Sequence, residues 1–508
     1  MFERISHVSG ITTEAEILFS TRFDYLFPDA ARSRPCLLPD SEECTAGLRA
    51  LGDAMAADDF PSSGADANES TIPAIYTYFG QFIDHDTTAR TDREGAVTGI
   101  GRSEPVGRLD PDFVVANLRN GRRPEFDLDS VFGEAPGLAG LGGSHAATTV
   151  SQKLYDSDFR LKLFEDGNRR DVIREGAHRS AVIPDGRNDE NLNLSQLQCA
   201  MLKFYNRVHA AQTSSSDAQN HIRARTLCRW AFQYVTIHDW LKTVCEPLIV
   251  EDTLANGPRF FGPAAGRGSA FMPLEFSAAG FRFAHSMIRP SYQSNGSAPV
   301  KPIMELLGFA AKDQFFGSAG SGVEQLKEEF VIDWNYFARG GSNIQFARKI
   351  DSSISKGLGL LELEGRQTDP VLGHLARSNL LRGKNLSIPT GQAMADAFGV
   401  RFLSPKELVD GEDPKIREAL ERGFFHHRSP LWYYVLREAT VQQNGERLGE
   451  VGSRIVCETI IGMIKYDLNS YLHNRHDPDV KSSGIDVLPG AGGIVNEIKD
   501  ILKIAQVY

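Results

Sequence analysis

Residues 80–86 read Gly-Gln-Phe-Ile-Asp-His-Asp and close an apolar segment with the spacing of a helix. In such a helix, Gln81 and His85 are four residues apart and share one face, with Asp84 at its flank. Asp86 points away from Asp84, because successive side chains turn by about 100°. The segment therefore presents an amide, an imidazole and one carboxylate to a common pocket, and a second carboxylate to another side.

The histidine and the outward carboxylate of this segment are candidates for chemistry and for cation binding. Histidine suits proton transfer because its unperturbed pKa is about 6.5. Asp86 could bind a hard cation such as Ca²⁺, which prefers oxygen ligands. The alternative is that His85 is a solvated surface histidine paired with the acids beside it. On this tripeptide alone, that situation is the commoner one.

Two further aspartates follow in residues 125–130, which read Glu-Phe-Asp-Leu-Asp-Ser. In an extended segment, Asp127 and Asp129 point to the same side, with backbone carbonyls between them. Together with Asp86 they would complete an oxygen cage for a cation. An Asp-x-Asp pattern is also common on protein surfaces, so this motif by itself does not establish a site.

Residues 187–190, Arg-Asn-Asp-Glu, precede a long helical pattern for which Asn191 and Asn193 are suitable N-caps. Arg187 and Glu190 are three residues apart, so one turn could direct both into one pocket. The positive charge of Arg187 there would stabilise negative charge that develops on a bound oxygen species. The alternative is a local salt bridge between the two side chains at the surface.

A second candidate histidine, His285, lies in the apolar and aromatic stretch of residues 281–288. This setting suits a buried imidazole that faces a flat hydrophobic cofactor, although a lone histidine on an apolar face is more often part of the core. A metal-binding histidine needs an acceptor for its other ring nitrogen. Asn379 is a candidate for that acceptor.

Long apolar stripes at helical spacing dominate the chain, at residues 72–85, 194–211, 224–244 and 451–467. Strand signals are short and few. These patterns predict a mainly α protein with a single large helical domain. We expect residues 1–70 to form an irregular N-terminal segment packed on the core, and residues 71–508 to form the main domain.

The composition excludes several classes of protein. With 55 basic and 66 acidic residues among 508, the formal net charge is −11, which argues against a nucleic-acid binder. No stretch of about 18 apolar residues predicts a membrane span. The first residues lack a signal-peptide pattern, so a cytoplasmic protein or leaderless secretion is expected. The six cysteines form no CxxC pair and are expected to be reduced, although Cys36 and Cys44 are close enough in sequence to pair.

Taken in order along the chain, these motifs resemble the animal haem peroxidase superfamily, and most closely bacterial members of its peroxidase branch. The similarity runs from about residue 72 to about residue 472. Each motif is weak alone, but six of them in the family's order make the resemblance specific. It implies one helical domain with haem b buried between central helices, together with a bound Ca²⁺.

The resemblance also implies a role for each motif residue. On the distal side of the haem, His85 would be the acid/base catalyst, with Gln81 and Arg187 in the same pocket. On the proximal side, His285 would be the iron ligand and Asn379 its hydrogen-bond acceptor. The other implied roles are haem ester links at Asp84 and Glu190, contacts with the haem propionates at Arg282 and Arg382, and calcium ligands at Asp86, Asp127 and Asp129.

Three positions depart from the pattern of particular relatives. Residue 191 is Asn, where myeloperoxidase has the methionine that bonds to haem, so strong chloride oxidation is not expected. Arg282 stands where prostaglandin synthases and fatty-acid dioxygenases have their radical tyrosine. Asp129 stands where the family often has Ser or Thr.

The resemblance therefore implies a haem peroxidase that reduces hydrogen peroxide and oxidises halide, thiocyanate or small organic donors. One alternative is a haem dioxygenase acting on fatty acids, for which Tyr433 and Tyr434 are the remaining candidates for a radical tyrosine. Another alternative is a helical scaffold that binds partners without catalysis. The scaffold predicts loss of His85, Arg187 or His285, and the sequence retains all three.

Overall fold

The computed structural model of the protein describes residues 21–56, 68–91, 107–123, 125–133, 149–262, 270–318, 324–359 and 373–508, and the strands Phe2–Ile5 and Thr13–Glu16. Most regular structure in these ranges is helical. The α-helices, numbered α1 to α19 along the chain, are Pro28–Arg32, Glu42–Met55, Ile75–Thr87, Pro111–Asn117, Asp129–Phe132, Thr149–Leu154, Leu192–Ala210, Asp217–Val235, Lys242–Val244, Pro247–Asn256, Leu274–Ala278, Ile303–Leu306, Leu375–Asn385, Gly391–Phe398, Pro405–Val409, Pro414–Arg422, Leu431–Gln443, Glu450–Tyr466 and Ile498–Ile504.

Short 3₁₀-helices and two- to five-residue strands connect these helices. The 3₁₀-helices are Arg34–Cys36, Gly186–Asp189, Gly280–His285, Phe309–Ala311, Asp313–Phe315, Glu328–Phe330, Trp334–Tyr336 and Lys356–Gly359. The strands, β1 to β19, are Phe2–Ile5, Thr13–Glu16, Thr21–Asp24, Glu69–Pro73, Arg90–Thr91, Arg119–Asn120, Leu163–Asp166, Arg169–Val172, Arg174–Glu175, Ser180–Ala181, Met272–Pro273, Ser291–Tyr292, Lys301–Pro302, Phe316–Gly317, Gln325–Leu326, Phe346–Arg348, Val480–Lys481, Gly484–Asp486 and Ile494–Val495.

The strands form small sheets at the margins of the helical body. Among the described strands, the largest sheet has four, in the order β11-β3-β6-β5, and its β11–β3 pair is parallel. The antiparallel pair β4–β16 leads directly into α3, with Phe346 opposite Pro73. The mainly α class predicted from the sequence is confirmed.

The four predicted helices are present, with shifted ends. They are α3, α7, α8 and α18. The segment predicted at 224–244 differs most, because α8 ends at Val235 and continues as one turn of π-helix, Thr236–Leu241. A π-helical turn adds a residue to the repeat, which a stripe of apolar residues at ordinary helical spacing does not reveal.

Two helices form the centre of the core. Fifteen of the nineteen residues of α7 are buried, so most of this helix is enclosed by the core. In α3 every residue except Gln81 is buried. The N-cap of α7 is Asn191, whose side-chain oxygen accepts from the Leu194 amide at 2.9 Å, whereas Asn193 lies inside the helix and does not cap it.

The N-terminal segment is more regular than the sequence suggested. Residues 42–55 form α2, with Cys44, Leu48, Leu51 and Met55 buried at helical spacing. The prolines and the loop-forming run that flank this helix obscured its pattern. The boundary near residue 70 stays a prediction.

Two further features are the state of the cysteines and the hydropathy of the helices. All six cysteines are free thiols, and five of them are buried. Within the described ranges, no helix is both long and apolar enough to cross a membrane.

Candidate active site

A cavity lies between α3 and the 3₁₀-helix Gly280–His285 and is lined by residues of both. Much of its wall is apolar, formed by Phe281, Ala284, Ile288, Ile303, Leu307, Leu358 and Leu375. The polar residues at the cavity are Thr77, Tyr78, Gln81, Asp84, Asn191, Arg282 and His285. The cavity thus combines apolar walls with a few convergent polar groups, as ligand pockets do.

Close packing at a glycine fixes α3 against the rest of the site. A Cβ on Gly80 would lie 2.9 Å from Cζ2 of Trp240, so only glycine admits the indole at this distance. The indole nitrogen of Trp240 donates to the carbonyl of Tyr76 at 2.9 Å. The same indole packs at 5.6 Å from the ring of Phe281, which belongs to the opposite wall. Trp240 therefore connects the two helices that border the cavity.

His285 and Asn379 meet at the cavity, as the sequence analysis anticipated. Nδ1 of His285 lies 2.8 Å from Nδ2 of Asn379, and Oδ1 of Asn379 is buried without a hydrogen bond. A half-turn of the amide exchanges these two atoms, so Oδ1 would accept from Nδ1–H. Burial, together with the charges of Arg282 and Arg382, lowers the pKa of His285 well below 6.5, which keeps the imidazole neutral.

His85 lies on α3 and is fully buried, and it is not among the residues that line the cavity. Its Nδ1 lies 2.9 Å from Oδ1 of Asn188, and Nδ2 of Asn188 donates to Oε1 of Gln198 at 3.0 Å. In this orientation of the amide, Nδ1 carries the proton and Nε2 carries the lone pair. Nε2 lies 3.8 Å from Oε1 of Glu190. Burial, and secondarily the charge of Arg187, lowers the pKa of His85 to about 4.

Glu190 is a buried acid that bonds to the α3 side of the pocket. Nε2 of Gln81 donates to its Oε1, and Nδ2 of Asn191 donates to the amide oxygen of Gln81 at 3.2 Å. Burial raises the pKa of Glu190 to about 8, so the carboxyl group is protonated at neutral pH. Its Oε2 is buried and has no hydrogen-bond partner among the residues that the structure describes.

Arg187 is also buried, but it does not pair with Glu190. Its Nε and Nη2 donate to the carboxylate of Asp185, at 3.0 and 2.6 Å, and Nη2 also donates to the carbonyl of His85 at 2.9 Å. The local salt bridge considered from the sequence is replaced by this pair with Asp185. Its hydrogen bonds to described residues use Nε and Nη2, which leaves the two N–H groups of Nη1 for a ligand.

The other two arginines singled out in the sequence occupy different places. Nη1 of Arg282 lies 3.9 Å from Oδ2 of Asp84, so this pair joins the two walls of the cavity. Arg382 lies one turn beyond Ser378 on α13, and its Nη2 donates weakly to the Ser378 hydroxyl at 3.5 Å. Arg382 is not among the residues that line the cavity.

Asp86, Asp127 and Asp129 form a cluster in which one oxygen of each lies within 4.8 Å of the others. The extended segment predicted for the last two is wrong. Leu128 has a left-handed backbone with φ of 59°, and α5 begins at Asp129. A tight turn rather than strand alternation thus brings these carboxylates together, and a short sequence pattern does not distinguish the two.

The cluster has the electrostatics of a cation site. Burial and the neighbouring charge of Asp127 raise the pKa of Asp86 to about 7, and burial raises the pKa of Asp129 well above 3.8. Asp86 already accepts hydrogen bonds from the hydroxyl of Ser130 at 2.8 Å and from the amide of Leu128 at 3.2 Å. Three buried acids in one place are costly unless a cation or protons offset their charge.

Sequence reasoning missed Asp185, Asn188 and Arg122, which hold the pocket residues in place. Arg122 contacts both the carbonyl of His85 and Asp185. Asn188 lies within the motif at residues 187–190, but nothing in the sequence indicated that its amide faces His85. The clue available for Asp185 was its position two residues before Arg187, where an acid pairs readily with the arginine.

A family model described as animal haem peroxidase matches residues 150–421, which is more than half of the chain. The chain therefore belongs to the animal haem peroxidase family. Membership places it in the peroxidase–cyclooxygenase superfamily, whose members are haem oxidoreductases. No curated protein matches the sequence.

Solved structures show the same fold at low sequence identity. Peroxidase A from Dictyostelium discoideum superposes with a TM-score of 0.62 at 15% identity, covering 99% of this chain and 96% of its own. A fatty acid alpha-dioxygenase of Arabidopsis thaliana gives 0.59 at 12% identity, with 92% and 76% covered. The fatty acid alpha-dioxygenase of Oryza sativa gives 0.59 at 14% identity, with 100% and 83% covered.

The family implies haem, and the residues at the cavity fit that group. The walls offer apolar surface for a flat macrocycle, and His285 presents a neutral imidazole to it. Two buried oxygens without hydrogen bonds, Oδ1 of Asn379 and Oε2 of Glu190, suit the positions implied for an imidazole acceptor and for an ester-forming acid. The donor set at the cavity therefore fits a haem group.

Removing the Asn379 amide should weaken haem binding. We expect Asn379→Leu to bind haem about 10- to 100-fold more weakly, because the ring of His285 loses the partner that fixes its orientation. Titration of the apoprotein with haemin, followed at the Soret band, measures this. Asn385→Leu on the same helix is the control and should bind haem normally. Equal affinity in wild type and Asn379→Leu would reject the assigned role.

Proposed function

We propose that the protein is a haem peroxidase that reduces hydrogen peroxide and oxidises a small reductant. The observation that carries this proposal is the arrangement of two histidine systems about one cavity. His285 and Asn379 lie at one wall. Glu190 bonds to Gln81, which lines the cavity, and lies 3.8 Å from Nε2 of His85, whose carbonyl accepts from Arg187.

In this proposal, His285 would hold the haem iron, and Asn379 would fix the tautomer and the orientation of its imidazole. Arg282 and Arg382 are the candidates for contacts with the propionates. Asp84 and Glu190 are the candidates for ester links to the macrocycle. Haem, when bound, supplies the redox chemistry that takes two electrons from donors and delivers them to peroxide.

His85 moves the proton of the peroxide. It is neutral at pH 7 because its pKa is about 4, so Nε2 can accept a proton from one peroxide oxygen. Returning that proton to the other oxygen lets water leave. The hydrogen bond from Nδ1 to Asn188 keeps the lone pair on Nε2 during this exchange.

Gln81 and Arg187 position peroxide and stabilise charge. Gln81 is the partly exposed residue of α3, and its side chain lines the cavity. The free N–H groups of Arg187 would stabilise the negative charge that builds on the leaving oxygen, and their benefit is greatest in a buried pocket. Asp185 holds the guanidinium in place from behind.

The donor is proposed to be a halide, thiocyanate or a small organic molecule. Asn191 lines the cavity at the position where myeloperoxidase carries its haem-bonded methionine. Because asparagine forms no such bond, strong chloride oxidation is not part of the proposal. Iodide, thiocyanate and phenols, which are easier to oxidise, are the donors to test first.

We also propose that Asp86, Asp127 and Asp129 bind Ca²⁺. Asp86 is the neighbour of His85 on α3, so a cation there would hold the end of the helix that carries the acid/base residue. The three carboxylates supply the oxygen donors that Ca²⁺ prefers.

Removing calcium should lower the stability of the protein. At a calcium concentration of 100 times its Kd, binding adds about 2.7 kcal/mol to the free energy of unfolding, and a chelator abolishes that increment. We expect Asp86→Asn to lose most of the chelator-sensitive stabilisation in thermal unfolding. Asp112→Asn, which changes an exposed acid, should keep it. An unfolding temperature of the wild type that changes with neither calcium nor chelator would exclude the calcium site.

A second candidate function, fatty-acid dioxygenation, is favoured by one observation. Tyr78 lines the cavity, so a tyrosine stands next to the proposed haem even though residue 282 is arginine. The two tyrosines considered from the sequence are less suitable. The hydroxyl of Tyr433 donates to the carbonyl of Leu408 at 2.8 Å, that of Tyr434 accepts from the amide of Leu403 at 2.8 Å, and neither residue lines the cavity.

Turnover by the haem-loaded protein separates the two functions. A peroxidase consumes hydrogen peroxide and oxidises phenol or thiocyanate without oxygen uptake. A dioxygenase takes up oxygen with a long-chain fatty acid and loses this activity in Tyr78→Phe but not in Tyr434→Phe. We expect the peroxidase pattern. Oxygen uptake that depends on fatty acid and on Tyr78 would instead identify the protein as a dioxygenase.

A further inference from the structure

Arg122 is a buried arginine that touches three parts of the site with one guanidinium. Its Nε donates to the carbonyl of His85 at 3.1 Å. Its Nη2 forms an ion pair with Asp185, and its Nη1 lies 3.4 Å from Oδ1 of Asp129. The side chain is only 1% exposed, so water does not screen these contacts.

Two of these partners are shared with Arg187. Both guanidinium groups donate to the carbonyl of His85, and both bond to the carboxylate of Asp185. The third partner, Asp129, belongs to the carboxylate cluster. Arg122 therefore lies between the cluster and Asp185, the carboxylate that holds the guanidinium of Arg187.

We propose that Arg122 is a positioning residue that couples cation binding at Asp86, Asp127 and Asp129 to the position of Arg187. This inference rests on the proposed function, because it assigns a use to the pocket and to the carboxylate cluster. The coupling requires no new contact with substrate, since Arg122 acts through Asp185 and the carbonyl of His85.

The expected direction of the calcium effect follows because Asp129 and Asp185 compete for the guanidinium of Arg122. When a cation takes the carboxylate of Asp129, Arg122 loses that partner and bonds more strongly to Asp185. The hold of Asp185 on Arg187 weakens correspondingly, which releases Arg187 to bond a ligand in the pocket. Calcium should therefore strengthen the binding of an anionic ligand in the pocket.

The neighbouring Arg123 provides a matched control. Its Nη1 lies 3.6 Å from Oδ2 of Asp127, so it faces the same cluster, but its side chain is one-third exposed. Removing either arginine takes one positive charge away from the three carboxylates. Arg122 bonds in addition to Asp185 and to the carbonyl of His85.

The test is cyanide binding to the ferric, haem-loaded protein, followed by the shift of the Soret band with calcium and with chelator. We expect calcium to tighten cyanide binding by about fivefold or more in the wild type and in Arg123→Met. A factor of about five is the lower end of the usual couplings between two binding sites. In Arg122→Met this calcium effect should disappear. Calorimetry should show that bound cyanide raises the affinity for calcium by the same factor, because the coupling is reciprocal.

Three outcomes would contradict the coupling or its assignment to Arg122. No calcium effect in the wild type, or an effect retained in Arg122→Met, overturns it, and loss in Arg123→Met as well would assign the effect to cluster charge alone. If Arg122→Met does not fold, Arg122→Lys decides, since an ammonium group cannot reach all three partners and should lose most of the effect. A protein that couples calcium to cyanide but consumes no peroxide would refute the proposed function and leave the coupling standing.

Discussion

His85→Ala is expected to slow peroxide consumption by the haem-loaded protein about 10²- to 10⁴-fold, the usual contribution of one positioned acid/base group. The imidazole is neutral and buried, and its Nδ1 is held by Asn188, so Nε2 carries the lone pair that can accept a proton. Alanine cannot accept the proton of peroxide. Haem binding should persist, because the proposed iron ligand belongs to the opposite wall.

The measurement is the second-order rate of peroxide consumption, together with the haem content from the Soret band. The control is His238→Ala, which removes a partly buried histidine whose Nε2 bonds the hydroxyl of Tyr471 at 2.9 Å and which does not line the cavity. This variant should react at the wild-type rate. A His85→Ala protein with full haem content and an unchanged rate would show that another group transfers the proton.

His285→Gly is expected to lose the axial ligand of the iron and to bind haem more than about 100-fold more weakly than the wild type. Losing only the hydrogen-bond partner of a metal-binding histidine weakens metal affinity about 10- to 100-fold, and losing the ligand itself weakens it more. The imidazole lies in the wall of the cavity beside apolar side chains, so its removal leaves a space of its own size.

Free imidazole provides the rescue for this variant. It should enter the space left by the side chain, hydrogen-bond to Asn379 and restore both the Soret maximum and the affinity for haem. Imidazole should not change the haem affinity of His85→Ala. Wild-type haem affinity in His285→Gly without imidazole would exclude His285 as the ligand.

The sequence predicted the elements whose pattern is periodic and local. The faces of α3 and α7 follow from apolar spacing, and Asn191 caps α7 as its residue type suggests. The meeting of His285 with Asn379 was expected from the family resemblance, since chemistry required an acceptor for the imidazole but did not single out Asn379.

The sequence could not predict the role of residues whose partners are brought together only by tertiary contacts. Arg122 and Asp185 are 63 positions apart, and nothing local indicates that they pair under the carbonyl of His85. The left-handed turn at Leu128 was also missed, because leucine rarely adopts that conformation and tertiary packing imposes it. The π-helical turn after Val235 is a further case in which packing overrides the local pattern.

The most direct test of the account is peroxide turnover by the purified protein loaded with haemin, compared with the same concentration of free haemin. Two one-electron donors should be oxidised for each hydrogen peroxide reduced to two waters, at a rate at least about 100-fold above free haemin if His85 contributes as an acid/base catalyst. A protein that binds haemin with a shifted Soret band but reduces peroxide no faster than free haemin would contradict it.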